Sequence, residues 1–304
     1  MDKLLKWSIE NSQNGVASGN TESRQAAPDP EVLAQLFGAP DDSTLMKEAM
    51  VVIENPEATE EAKVIAFDNL EMLVENMDNA NNLENMKLWT PLLKQLKSSS
   101  SELRKMACWV IGTAVQNNPK AQASLIAYRS AIPDLLQIAA DDSSSEVKLK
   151  AIYALSSVVR NHQPSYESFK DSDGWDILIT IIRQNAHSSV DASANAVRAR
   201  SIHLLGSVMS TEPLSEKIEL LRNLSAMPSL MHVLNADDSY AAIERVIQIL
   251  LTIAKSDSGL TSDEKAEIKQ GIERAKRDGL LEEDPNQDSE VISEWKELEK
   301  AISM

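Results

Sequence analysis

The chain has 304 residues, 42% hydrophobic but only 4% aromatic, so any core must be built from Leu, Ile, Val, Ala and Met. With 30 Lys and Arg against 47 Asp and Glu, its formal charge of −17 argues against nucleic acid and anionic membranes, whose phosphates need a cationic footprint. Cys108 is the only cysteine, which excludes a disulfide framework within one chain and fits a reducing compartment.

The opening "MDKLLKWSIENS" sets Leu4 and Leu5 between Lys3 and Lys6 and adds Trp7. It is too short for a secretory h-region, and Glu10 interrupts it. No later apolar run approaches the roughly 18 residues of a membrane span. Two readings of the opening stay open: an exposed greasy, basic hook, or an amphipathic helix packing Leu4, Leu5 and Ile9 on the first repeat. Ser12–Asp29 is rich in Ser, Asn, Gly, Gln and Ala and is expected to be a disordered linker. "PDPEVLAQLFGAPDDS" follows, a predicted short helix docking Val32, Leu33, Leu36 and Phe37, stopped by Gly38 and Pro40.

From Ser43 onward the pattern is helix after helix, with no strand alternation. "EEAKVIAFDNLEMLVEN", "SELRKMACWVIGTAVQN" and "SEVKLKAIYALSSVVRN" are versions of one segment, ending at Asn76, Asn117 and Asn161, about 40 to 45 residues apart. "NAVRARSIHLLGSVMST" and "YAAIERVIQILLTIAKS" are fourth and fifth copies, and shorter apolar units such as "AIPDLLQIA" lie between them. This period belongs to armadillo and HEAT solenoids. The small-Ile-Pro step of Leu125–Asn161, between a short helix and a long one, resembles the armadillo repeat, with Pro133 starting its helix where no intrahelical partner is lost. The expected fold is all-α, a right-handed armadillo solenoid of four to five repeats. Its ends need caps, because each unit buries its apolar face only against its neighbours. In "SEVISEWKELEKAISM", Val291, Trp295, Leu298 and Ile302 share one helical face and supply a candidate cap. The expected divisions are residues 1–27 (N-terminal segment and linker), 28–54 (capping helices), 55–280 (repeats) and 281–304 (C-terminal cap).

Nothing in the sequence points to an enzyme. His162, His187, His203 and His232 have no second His or Cys four residues on, and no phosphate loop or G-x-S-x-G is present. The carboxylate pairs at 41–42, 141–142 and 237–238 fall in turns, where Asp caps helices. Cys108, inside "MACWVIG", reads as a small buried hydrophobe. No cofactor or metal is expected.

Such a solenoid works through the groove lined by its long helices. Taking Ala66, Ala107, Ala151, Ser201 and Val246 as buried references, the positions one before and three, six and ten after share one face. Copy by copy this stripe is predicted to be Ile65, Asn69, Met72 and Asn76; Met106, Val110, Thr113 and Asn117; Lys150, Ala154, Ser157 and Asn161. It continues with Arg200, Leu204, Ser207 and Thr211, then Arg245, Ile249, Thr252 and Ser256. Lys150, Arg200 and Arg245 form a basic row suited to acidic residues of a partner, or a solvated face. Asn76, Asn117 and Asn161 are peptide ligands or helix C-caps in the left-handed conformation. Armadillo carriers of nuclear-localisation peptides place Trp four residues before this Asn. Met72, Thr113 and Ser157 stand there instead, which argues against nuclear import.

Over nearly its full length the chain resembles one family, the armadillo-type nucleotide exchange factors of heat-shock protein 70 (Hsp70) chaperones. The resemblance rests on "LLKWSIENS", "PDPEVLAQLFGAPDD", "TLMKEAM", "AFDNLEMLVENMDNANNLENMKLW", "IGTAVQNNP" and "YALSSVVRNH". It implies a non-enzymatic, monomeric cytoplasmic co-chaperone whose groove embraces lobe II of the chaperone's nucleotide-binding domain and releases ADP. It also implies a groove arginine at Arg200 and close packing around a loop "DNANN", with Asn79, Ala80 and Asn81 at the groove edge. Leu4, Leu5 and Trp7 would then imitate a client in the chaperone's substrate cleft.

Overall fold

Residues 41–184, 192–235, 240–278 and 289–303 are described in the computed structural model, and every regular element among them is helical. The hook, the linker and the predicted helix at residues 32–37 lie outside the described residues, as do Asp237 and Asp238. Helix α1 (Asp42–Glu54) begins where the Asp41 carboxylate accepts from Thr44 N at 2.8 Å.

A three-helix unit then repeats. The long helix α2 (Glu60–Val74) is followed by α3 (Met77–Asn85) and α4 (Trp89–Lys94), which runs into a 3-10 turn at Gln95–Lys97. The next long helix, α5 (Ser101–Val115), precedes α6 (Pro119–Ile126) and α7 (Ala131–Asp141). Long helix α8 (Ser145–Val159) precedes α9 (Gln163–Asp171) and α10 (Gly174–Gln184), and α11 (Ala192–Val208) precedes α12 (Leu214–Asn223) and α13 (Met227–Asn235). The described chain ends with long α14 (Tyr240–Lys255), then α15 (Ser262–Arg277) and α16 (Ser289–Ser303).

Local chemistry sets these boundaries. Thr59, Ser100, Asn118 and Thr261 each accept a backbone N–H through the side chain at a helix start, satisfying donors that have no intrahelical partner. Asn117 (φ 51°) and Asn161 (φ 53°) close α5 and α8 in the left-handed region, which Asn tolerates through local hydrogen bonding. Asn76 differs. Its φ is −73°, and its side chain caps the following helix by accepting from Asp78 N at 2.9 Å.

Successive long helices α2, α5, α8, α11 and α14 pack side by side and form one layer, with the shorter helices behind it. The apolar core is continuous from Met46 to Leu298. At the far end α16 lies on α14 and α15, burying Trp295 and Leu298.

Polar groups tie the helices together within and between units. Arg104 meets both carboxylate oxygens of Asp142, at 2.7 and 3.0 Å, and Arg222 meets both of Glu264, at 3.0 and 2.9 Å. Such forked pairs fix geometry as well as charge. Buried Gln122 on α6 donates from Nε2 to the carbonyls of Ser157, Val158 and Arg160 at 2.9–3.0 Å, receiving the C-terminal end of α8.

Candidate partner-binding face

The long helices expose a narrow stripe that keeps the predicted position one before the reference in four copies, at Ile65, Lys150, Arg200 and Arg245, but shifts the position predicted three after it. Three positions after each reference residue, Val110, Ala154, Leu204 and Ile249 are buried, and so is Met106 one before its reference. In its place the position two after the reference is open: Asp68, Trp109, Tyr153, His203 and Gln248. A one-residue slip turns a side chain by about 100°. A long helix flanked by two others and backed by short ones has no exposed arc wide enough to absorb that turn. Only the first copy, at the end of the stack, leaves Ile65, Asn69 and Met72 all exposed.

A hollow of about 620 Å³ runs across α2, α5, α8 and α11, lined in part by Asp68, Lys105, Trp109, Lys150, Tyr153 and Arg200. Lys150 Nζ lies 3.9 Å from the Trp109 ring centroid and 5.9 Å from that of Tyr153, a cation–π arrangement. Burial holds the Lys150 ammonium below its ordinary pKa; Glu71 opposes this, and Arg200 and Lys105 add to it. Behind the rings runs a hydrogen-bonded row. Thr113 Oγ1 donates to Glu71 Oε1 at 2.7 Å, and Tyr153 Oη donates to Gln116 Oε1 at 3.0 Å. Gly112 makes room for the ring, because a Cβ there would stand 2.4 Å from Tyr153 Cε1 and 3.2 Å from Ala154 Cα.

His203 carries the row onward. Burial first, then Arg245, Arg200 and Arg160, hold its pKa down at about 4, so it is neutral at physiological pH. Arg245 donates to Gln248 Oε1 at 2.5 Å, and its stem passes close to Gly206. The predicted basic row Lys150, Arg200 and Arg245 is thus gathered on one face. Trp109, Tyr153 and His203 escape the spacing rule, although "ACW", "AIY" and "SIH" place a ring two residues after each reference.

The asparagines divide. Asn76, Asn117 and Asn161 are exposed at turns. "DNANN" is the body of α3, not a loop. Asn79 is buried and donates to Asp42 Oδ2 at 2.7 Å and to Leu73 O at 3.0 Å; Ala80 is only 1% exposed. Asn81 is half-buried. Asn79 and Ala80 therefore shape α3 from within and do not offer their side chains to a partner. Ala80→Arg is expected to cost at least about 4 kcal/mol of stability, since neither the volume nor the charge fits. Thermal denaturation checks this; an unchanged Tm with lost binding would return Ala80 to the contact surface.

The remaining candidates for chemistry are structural. Cys108 is buried, and burial pushes its thiol pKa far up, so it is not a nucleophile. Asp41 caps α1 and Asp142 receives Arg104. Among the described residues no cluster of His, Cys, Asp and Glu could hold a metal, and no helix is long and apolar enough to cross a membrane.

The family model described as nucleotide exchange factor Fes1 matches residues 1–83, and that of the SIL1/FES1/HPBP1 C-terminal domain matches residues 79–194. The Hsp70 nucleotide exchange factor FES1 of Scheffersomyces stipitis is 42% identical over 300 residues, covering 96% of this chain and all of the relative. The chain belongs to the Fes1 family of Hsp70 nucleotide exchange factors. The Saccharomyces cerevisiae FES1 is 39% identical over 293 residues, 93% of this chain and 97% of its own. Among solved structures, a designed armadillo repeat protein in complex with the peptide (KR)4 superposes with a TM-score of 0.65 at 17% identity, covering 84% of this chain and 99% of the design. SYS-1 superposes with a TM-score of 0.61 at 14% identity, covering 91% of this chain and 50% of its own. These two likenesses concern the fold: an armadillo-type all-α solenoid, which agrees with the sequence-based expectation. The Fes1 family itself is one of Hsp70 co-chaperones that act as nucleotide exchange factors.

Proposed function

We propose that the protein binds the nucleotide-binding domain of a cytosolic Hsp70 through the face of its long helices and accelerates ADP release. The observation that carries this reading is the cationic cluster of Lys150, Arg200 and Arg245, gathered around Trp109, Tyr153 and His203 in a chain of charge −17. Acidic groups of a partner are steered to such a cluster, and the surrounding rings supply apolar contact. Lobe II of the partner is the part embraced. A preformed surface that fits the ADP-loose arrangement better than the ADP-bound one must weaken ADP, and by reciprocity ADP must weaken the complex.

In this reading residues 55–280 form the gripping body of a cytoplasmic monomer. Residues 1–27 compete for the substrate cleft through Leu4, Leu5 and Trp7. Once the body is docked, a weak segment on the same chain is locally concentrated. The test follows fluorescent ADP leaving an isolated chaperone nucleotide-binding domain, with and without the full chain. Faster release is expected. Unchanged release with intact binding would favour a peptide-binding scaffold acting through Asn76, Asn117 and Asn161. Deleting residues 1–20 is expected to leave ADP release intact and slow the release of a bound client peptide. Equal client release by both forms would remove the competing segment from the mechanism.

A further inference from the structure

An apolar hollow of about 590 Å³ opens between α1 and α2, at the N-terminal end of the stack. Leu45, Val52, Ile65, Met72 and Leu73 line it, with Glu48 beside them. Ile65 is 60% and Met72 68% exposed. Covering either side chain is worth about 1.5–3 kcal/mol, and large apolar groups grouped in one hollow mark a binding surface. Glu48 lines it, and the two helices that form it are acidic overall: residues 41–76 hold ten Asp and Glu against Lys47 and Lys63. A fitting occupant is therefore apolar and basic.

One stretch of this chain outside the described residues has that character. Residues 3–7, "KLLKW", combine Leu4, Leu5 and Trp7 with Lys3 and Lys6. The apolar stretch nearer to α1, "PDPEVLAQLF", carries Asp29 and Glu31 and no base, so like charge works against it here. Reach is sufficient. The linker Ser12–Asp29 is rich in Ser, Asn, Gly, Gln and Ala, and a flexible chain of that length spans about 23 Å. Helix α1 is only about 20 Å long. Because hook and hollow share one chain, the local concentration is of millimolar order.

We propose that Leu4, Leu5 and Trp7 park in the α1–α2 hollow of the free protein, with Lys3 and Lys6 facing its acidic rim. Met72 directly follows Glu71, which the row behind Trp109 and Tyr153 holds through Thr113. A partner seated on the long helices therefore reaches the hollow's edge and displaces the hook. The segment meant for the chaperone's cleft is masked until the body has docked. This regulatory consequence rests on the function proposed above; the parking itself does not.

Disulfide trapping in the full chain, without chaperone, tests it. Ser8→Cys is paired with Asn69→Cys, which lines the hollow, or with Asn85→Cys on the exposed side of α3. Both pairs leave Leu4, Leu5, Trp7, Ile65 and Met72 intact. The Asn69 pair is expected to close within one chain at least tenfold faster than the Asn85 pair. Exchanging Lys3 and Lys6 for Glu should bring it down toward the control rate. Equal rates, closure only between chains, or faster closure of Gln35→Cys with Asn69→Cys would overturn the proposal, the last by assigning the hollow to residues 28–40. A failed trap with normal acceleration of ADP release removes the parking alone. A positive trap without acceleration removes the exchange reading alone.

Discussion

Replacing Arg200 by glutamate is expected to weaken binding to an Hsp70 nucleotide-binding domain by about 100-fold and to abolish the acceleration of ADP release, with the Tm nearly unchanged. Arg200 is exposed on α11 and lines the hollow shared with Lys150 and Trp109. Its neighbours on the face include further cations, Lys150 among them, so removing its charge relieves repulsion in the free protein. Surface substitutions of this kind stay within about 0.5 kcal/mol of the parent's stability. In the complex the balance reverses, because a carboxylate now opposes the acidic groups that the cluster attracted. Losing one side of an interfacial charge pair costs about 2–5 kcal/mol, and a hundredfold is about 2.7 kcal/mol. Binding of labelled nucleotide-binding domain at two salt concentrations measures it, with the parent showing the steeper salt dependence. Affinity within twofold of the parent would move the partner off this face.

Trp89→Ala is expected to lower stability by about 3–5 kcal/mol. Trp89 is fully buried in α4 and donates from Nε1 to Ser124 Oγ on α6 at 2.7 Å. Ser124 in turn donates to Glu84 on α3 at 3.1 Å, and Tyr128 does so at 3.2 Å. The substitution leaves a cavity at a junction of two repeats and removes the donor to Ser124. For a chain of this size the shift is of the order of 10 °C in Tm. Thermal unfolding followed by circular dichroism reads it; a loss below about 1 kcal/mol would mean that the junction relaxes around the gap. Trp89→Phe, which keeps most of the volume and loses only the donor, should recover more than half of the loss.

Much of this architecture is legible in the sequence because stacked repeats print the same pattern several times. The long helices, their apolar faces and the turn asparagines follow from recurrence alone, and Asn117 and Asn161 take up the left-handed geometry their positions suggest. The exposed stripe is harder to read: spacing places the basic residues before each reference correctly and misplaces the position three after it by one residue. Apolar spacing identifies the side that is buried, but helices covered on three sides leave too thin an opening for spacing to resolve. The rings at Trp109, Tyr153 and His203 are the better guide, because large polar-tipped aromatics recurring at one position have little reason to be there in a core. Ala80 illustrates the opposite hazard. Four polar neighbours disguise a helix that buries Ala80 and Leu83, three apart, and only the packing of α3 reveals it. Pairs such as Arg222 with Glu264 join residues in different repeats, and no local pattern announces them.

The grip of Gln122 on α8 has a mechanical meaning. One amide nitrogen engages three carbonyls at the end of a helix in the adjoining unit, so the second and third units share an anchorage as well as an apolar seam. A hinge at that junction would have to release all three contacts together. Under the function proposed above, deforming a partner requires a surface that yields less than its target, and one that bent at this junction would simply adapt to the form it meets. The buried amide thus stiffens the middle of the stack against such bending.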